Sequence, residues 1–591
     1  MEKSDKFPEI RKIFVLIGLI LLLFHFIFVF VIPVRTWGFD FIKYYSPSTI
    51  IMFYLFGVSI VIFPLSVYFN LHKTESLFNR LDKYYNQYKR FLSIIFLELC
   101  LILFWFFKVK YPLLGDGLYS LHYVVNESSR FDWGLGIYYY IYRIIQIFTS
   151  ISGQQVYVIT HVLLGPVFLI ISFQIAKNIG RIVVEKIFVF GCLTASGIIL
   201  IFFGYVEVYG FAVIFLMIYF YCGILFLKNR CSLTVVLIFL MISIIMHRLN
   251  IIFFPSFLFL IFRKYDLLHK IKQTYIFTIL MFILLLIILF YKKLPLLQFL
   301  PKENQPYYLL SFKHLIEFLN SQILTAPVCF LLGCILFIFC VLKKIKINEI
   351  SLFSGIAGIF GLLFAITANF KLGSLDWDVM AFSGIPVTIF ATSLAIQMSS
   401  HFISKQNLFY VIVIVTGFSF LNTIPWITLN SSDKSVKRYV EIVLTEPANR
   451  FVDKNGSGIA YKYYELYRLG FKKEAFELMK YDLKVHPNQT RGYYNVAVQQ
   501  IINKEYEEAE KNLNVLVNRF PNYIPTYVQL SELALLKNDT TSFIESVNKL
   551  INFSKNKEAY SHIIKLGAEK RFFNYQLLLE QIIKKREGKI K

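Results

Sequence analysis

Asp116 stands between two glycines in Leu114-Gly115-Asp116-Gly117, directly after an apolar run. A carboxylate with such small neighbours lets a second molecule approach the backbone, and it could take a proton from a hydroxyl. The same residues also suit an ordinary turn. Glu207 lies in Phe203-Gly204-Tyr205-Val206-Glu207-Val208-Tyr209. It could bind sugar hydroxyls, hold a cation, or sit favourably at the start of the helix that follows. His247 and Arg248 are adjacent between two short apolar runs. Arg248 suits a phosphate, and the pair equally suits anchoring at headgroup depth. Asp376 and Asp378 flank Trp377 in Ser374-Leu375-Asp376-Trp377-Asp378, where they could meet a ligand or cap a helix. Lys292 and Lys293 are a further pair of cations for an anionic ligand.

The elements that must position these residues are apolar. The chain has 591 residues, 57% hydrophobic and 17% charged, against about a quarter charged in soluble domains. A purely soluble enzyme, a disordered tail protein and a disulfide framework are excluded. Apolar runs fill the first 427 residues or so, and the remainder reads as a soluble module. None of the seven cysteines has CxxC spacing, which argues against a thiolate metal site or redox pair. The net charge of +24 sits largely in short links between apolar runs, with no basic and aromatic interleaving of a nucleic-acid groove. No nucleic acid is expected.

The hydropathy pattern predicts about thirteen spans, near 13–34, 48–70, 91–108, 155–176, 187–203, 208–227, 232–246, 249–263, 274–291, 323–342, 351–370, 380–399 and 408–427. The runs at 232–246 and 249–263 are short and read either as a hairpin or as one bent segment. The first run is too long for a signal-peptide core and reads as a retained span. Every second link is basic, as in Lys177, Arg181 and Lys186, or Lys343, Lys344 and Lys346. Those links are placed in the cytoplasm, together with the N-terminus. The opposite links, 35–47, 109–154, 204–207, 247–248, 292–322 and 371–379, and the C-terminal module are then external. Asp116, Glu207, His247, Arg248, Lys292, Lys293, Asp376 and Asp378 all fall on that external side. Residues 134–148, with three consecutive tyrosines and Arg143, read as a helix lying in the membrane interface.

The division expected is a transmembrane domain over 1–429, a linker over 430–454 and a helical repeat domain over 455–591. His486-Pro487-Asn488 recurs as Phe520-Pro521-Asn522, and Ala475 recurs as Ala509, both at a spacing of 34. That period, with a small residue and a closing proline, resembles the tetratricopeptide repeat, although its signature Trp and Gly are missing. Such repeats present concave surfaces to a protein partner, and a spacer or stabilising cap is the plainer alternative.

The layout of the membrane part resembles the GT-C class of membrane glycosyltransferases, which take sugars from polyprenyl-phosphate carriers. In that class the first large external loop carries an acidic residue just after a span, followed by in-plane helices. Gly115-Asp116-Gly117 followed by Tyr119–Arg130 and Gly134–Phe148 fits that arrangement. Many members have two adjacent acids there and this chain has one; two additional spans also precede the loop. The resemblance implies an all-α fold and a bacterial inner or plasma membrane enzyme. It would transfer a sugar from a lipid-linked donor to a glycan, lipid or protein acceptor on the external face. Asp116 would be the base, and Glu207, His247, Arg248, Lys292, Lys293, Asp376 and Asp378 would bind substrate. No cofactor is required by this chemistry, although a divalent cation is compatible with it. The alternatives are an O-antigen ligase or polymerase, and a transporter or scaffold without catalysis.

Overall fold

A computed structural model describes residues 7–32, 35–68, 94–117, 120–121, 138–264, 297–301, 307–369, 373–402, 405–445, 458–553 and 573–588, with 87, 91 and 563. The described residues are helical and divide into two compact units, Met1–Tyr439 and Val440–Lys591. Within the first unit the helices are α1 (Phe7–Phe26), α2 (Pro47–Tyr68), α3 (Ile94–Phe106), α4 (Tyr138–Thr149), α5 (Gly153–Ile179), α6 (Val183–Thr194), α7 (Tyr209–Leu227) and α8 (Leu233–Met246). There follow α9 (Phe254–Lys264), α10 (Phe312–Thr325), α11 (Cys329–Leu342), α12 (Glu349–Thr367), α13 (Trp377–Ala381), α14 (Gly384–Phe402) and α15 (Lys405–Asn430). The unit boundary lies inside α16 (Lys434–Thr445), a helix within the stretch expected as linker.

Four described helices are long and apolar enough to cross a membrane: Gly153–Ile179, Tyr209–Leu227, Glu349–Thr367 and Tyr410–Asn430 within α15. Two bent pairs raise the number to six, α10 with α11 at 102° and Gly373–Ala381 with Gly384–Ser399 at 54°. Shorter apolar helices occupy Val15–Val31, Pro47–Phe63, Ile94–Phe106 and Leu233–Met246. The run at 187–203 is not one helix: α6 ends at Thr194 and a 3-10 helix, Gly197–Phe202, follows. Between α8 and α9 the chain makes another 3-10 turn, Arg248–Phe253. The run expected at 274–291 lies outside the described residues.

Local sequence explains where these helices start. Ser152 caps α5 and closes a capping box with Gln155. Ser232, Ser311 and Asn348 cap α8, α10 and α12 through their side-chain oxygens. Pro166 sits inside α5 and Pro425 inside α15, as helices surrounded by apolar neighbours tolerate. Large apolar side chains stand exposed on α2, α3 and α11, including Met52, Phe106 and Ile335, which is compatible with a membrane protein. On α4, Tyr142 is fully buried while Ile144, Ile147 and Phe148 are exposed, so this helix has one apolar face turned out. The earlier part of that loop, 122–137, lies outside the described residues.

The second unit contains α17 (Gly458–Arg468), α18 (Lys472–Val485), α19 (Thr490–Ile502), α20 (Tyr506–Arg519), α21 (Ile524–Lys537), α22 (Thr540–Phe553) and α23 (Phe573–Glu587). Each of the first six packs on the next. α18, α20 and α22 begin at Lys472, Tyr506 and Thr540, two successive steps of 34 residues, and α19 and α21 keep the same step from Thr490 to Ile524. Ala475 and Ala509 are completely buried where the helices meet, and Phe543 takes the equivalent place one step later. The third position therefore fills its contact with an aromatic ring rather than by close approach.

Candidate active site

Three segments far apart in sequence meet at one end of the helices of the first unit. The first is the turn after α3 that carries Asp116. The second is the link between the 3-10 helix Gly197–Phe202 and α7, which carries Tyr205 and Glu207. The third is the 3-10 turn Gly373–Asp376 leading into α13, with Asp376 and Asp378. Backbone and side-chain bonds stitch them together. The Gly115 N–H donates to the Leu375 carbonyl at 2.9 Å. The Asp116 N–H donates to Glu207 Oε1 at 2.7 Å, and Ser120 Oγ donates to Glu207 Oε2 at 3.0 Å. The Tyr205 hydroxyl donates to Asp378 Oδ2 at 2.6 Å.

Gly115 is what allows the approach. Its φ is +60°, and a Cβ there would lie 2.6 Å from Tyr205 Oη, 2.7 Å from Asp378 Oδ2 and 3.2 Å from Glu207 Oε1. The four acids are thereby sorted by exposure. Glu207 and Asp378 are buried, Asp376 is half-buried and Asp116 is exposed. Burial raises the Glu207 carboxyl well above the usual carboxylate range, and the charges of Asp378 and Asp116 push it the same way.

Beneath the acids lies an aromatic floor. Tyr205 packs on Trp377 with ring centroids 5.5 Å apart, and Trp377 meets Trp426 edge-on at 5.3 Å. The Arg438 guanidinium sits 4.9 Å from the Trp426 ring and 5.2 Å from Phe41, and it donates to the Trp37 carbonyl at 3.0 Å. A second line of support comes through His161. Its Nδ1 lies 2.6 Å from the Tyr205 carbonyl, which can only accept, so Nδ1 carries the hydrogen. Nε2 is then bare and accepts from the Tyr142 hydroxyl at 2.5 Å. The exposed helix α4 is thus fastened to the segment that bears Glu207.

His247 packs beside this cluster. Its ring stacks on Phe382 at 5.4 Å and lies 4.9 Å from Tyr209, residues that neighbour Asp378 and Glu207 in sequence. Arg248 next to it is exposed, and its side chain makes no ion pair with a described residue. Lys292 and Lys293 lie outside the described residues. Nothing in the residue types or spacing singles out Tyr205, Ser120, His161, Tyr142 or Arg35 as part of this site. Arg35 in fact donates to Ser374 Oγ at 2.5 Å and pairs with Glu317 at 3.3 Å, so it braces the turn that carries Asp376. Among the described residues no group of three or more His, Cys, Asp and Glu could hold a metal ion. The local geometry therefore offers an exposed carboxylate on a braced turn, with the buried His247 ring packed on Tyr209 and Phe382.

Burial lowers the His247 pKa to about 3, with the Arg248 charge acting in the same direction. The folded protein then keeps this ring neutral while the unfolded chain protonates near its ordinary value, so stability present above that value is lost as pH falls. At about pH 5 the loss attributable to this one ring is roughly 2 kcal/mol. His247→Phe keeps the stacking and removes the proton site. Its melting temperature should fall less than that of wild type between neutral pH and about pH 5. Parallel acid profiles for the two proteins would contradict this.

Comparison of the chain with family models, with curated proteins and with solved structures returns no match.

Proposed function

We propose that the chain is an integral membrane glycosyltransferase that moves a sugar from a polyprenyl-phosphate donor to an acceptor hydroxyl on the external face. The observation that carries this reading is the convergence of Asp116, Glu207 and Asp378 from three distant segments, with only Asp116 of the three exposed. In the proposed step Asp116 takes the proton of the acceptor hydroxyl as its oxygen bonds to the anomeric carbon. The bond from that carbon to the donor phosphate breaks, and the electron pair leaves with the phosphate. Arg248 is the leading cation for the departing charge, with Lys292 and Lys293 as further candidates. Asp376 is the candidate for binding sugar hydroxyls. A lipid-borne donor needs no nucleotide-binding loop, and the sequence has none.

The reading includes thirteen spans, a cytoplasmic N-terminus and an external tetratricopeptide-like tail that engages a protein partner or the acceptor. The alternation of basic links supports the topology, and the 34-residue step of α18, α20 and α22 supports the tail. Reporter fusions after Lys186 and after Lys591 should report opposite sides of the membrane. The same side for both would end the thirteen-span topology.

A transporter is the second reading, favoured by the two bent helix pairs, since discontinuous helices that pack on each other are a feature of transport proteins. The deciding experiment is transfer of radiolabelled sugar, in membranes containing the protein, from a panel of undecaprenyl-phosphate-linked hexoses and pentoses. Label that appears in a new covalent product supports the transferase. Label that crosses the membrane still attached to its lipid supports the transporter.

A further inference from the structure

We infer that Glu207 is a positioning residue that holds the Asp116 turn, and not a ligand of the sugar; the role of Asp116 itself rests on the proposed transferase reading. Glu207 is 3% exposed, and both of its oxygens are engaged by the chain. Oε1 accepts the Asp116 N–H at 2.7 Å, and Oε2 accepts the Ser120 hydroxyl at 3.0 Å and the Val208 N–H at 3.1 Å. The residues of the first two donors are also bonded to each other, because the Ser120 N–H donates to the Asp116 carbonyl at 2.8 Å. Glu207 therefore holds both Asp116 and Ser120, while the Val208 bond fixes its side chain to its own loop. To bind a sugar hydroxyl in their place, Glu207 would have to release donors that are themselves buried or backbone, which is unfavourable.

The neighbouring buried acid behaves in the same way. Asp378 Oδ2 accepts from Tyr205, and its Oδ1 accepts the Val379 N–H at 2.8 Å. The inner acids thus shape the cradle, and Asp116 is the exposed acid of the three. Supporting carboxylates of this kind influence turnover by orienting another group.

The test uses the full-length protein in nanodiscs with Glu207→Gln and Ser120→Ala. An amide at 207 can still accept from the Asp116 N–H, but its NH₂ faces the Val208 N–H, so the clamp loosens without loss of volume. Hydrogen exchange at the Asp116 and Ser120 amides, read by mass spectrometry, should speed up by about tenfold in Glu207→Gln and by a few-fold in Ser120→Ala. In the undecaprenyl-phosphate transfer assay, kcat should fall by about 30-fold in Glu207→Gln with the donor KM within about twofold of wild type. A raised KM with unchanged exchange at Asp116 would overturn the assignment and return Glu207 to the substrate. If Glu207→Gln does not fold, Ser120→Ala decides: faster exchange supports the clamp and wild-type exchange refutes it. Failure of the transferase reading would appear differently, as full transfer by Asp116→Asn, and would leave the exchange result intact.

Discussion

If the proposed transferase reading holds, Asp116→Asn should lower sugar transfer by about 100-fold or more while the protein stays folded and still binds the donor. The substitution keeps the shape of the side chain and removes the proton acceptor. The bond from its backbone N–H to Glu207 does not involve the side chain and is retained in the variant. The side chain is exposed, so no buried packing is lost. Donor binding survives because the phosphate is assigned to other groups. Arg248→Ala provides the opposite pattern, a weaker donor KM with a smaller change in kcat. The measurement is initial-rate transfer from the undecaprenyl-phosphate sugar that wild type accepts best, with binding followed separately by retention of labelled donor. Full activity in Asp116→Asn removes the proposed base and leaves the helical fold untouched.

Much of the framework is legible from composition and period, and much of the site is not, for physical reasons that differ. The tail is readable because its step of 34 residues is imposed by helix pairs that repeat their packing, and the buried Ala475 and Ala509 mark it directly. Residues 134–148 announce a helix through their aromatic and apolar pattern, and α4 begins within them at Tyr138. Hydropathy, however, measures how apolar a stretch is and says nothing of helix continuity. The run at 187–203 therefore looks like one span although it breaks after Thr194, where Ser196 caps a 3-10 turn through its hydroxyl. The 102° bend between α10 and α11 is invisible for the same reason. Acidic residues in otherwise apolar surroundings draw attention to Asp116, Glu207, Asp376 and Asp378, but nothing in the order of residues separates the buried from the exposed. That sorting depends on contacts between segments 91 and 173 positions apart, the separations of the Asp116–Glu207 and Tyr205–Asp378 bonds. Arg35 is a harder case still, because its partners Ser374 and Glu317 come from the far end of the first unit.

Gly115→Ala should be strongly damaging for the addition of a single methyl group. Two costs combine there. An L-residue at φ +60° adopts the left-handed conformation, which costs roughly 1–2 kcal/mol. The new Cβ also overlaps Tyr205 Oη at 2.6 Å and Asp378 Oδ2 at 2.7 Å. Neither atom can retreat cheaply, because the two are bonded to each other and Tyr205 is wedged against Trp377. Crowding of this kind adds about 1–3 kcal/mol when the core cannot adjust. The easiest relief is for the turn itself to move outward, stretching the Gly115–Leu375 and Asp116–Glu207 bonds and carrying the base with it. A shift of about 1 Å at a reacting group suffices for a loss near 100-fold, so transfer should fall at least that far even where the protein folds. Gly470 provides the control. Its φ is +91°, and a Cβ there meets nothing within 4 Å, so Gly470→Ala has the strain without the crowding. That variant should lose a little stability in the second unit and keep full transfer. Equal, mild behaviour of the two alanine variants would mean that Tyr205 and Asp378 leave room at Gly115, and the tight cradle around Asp116 would have to be abandoned.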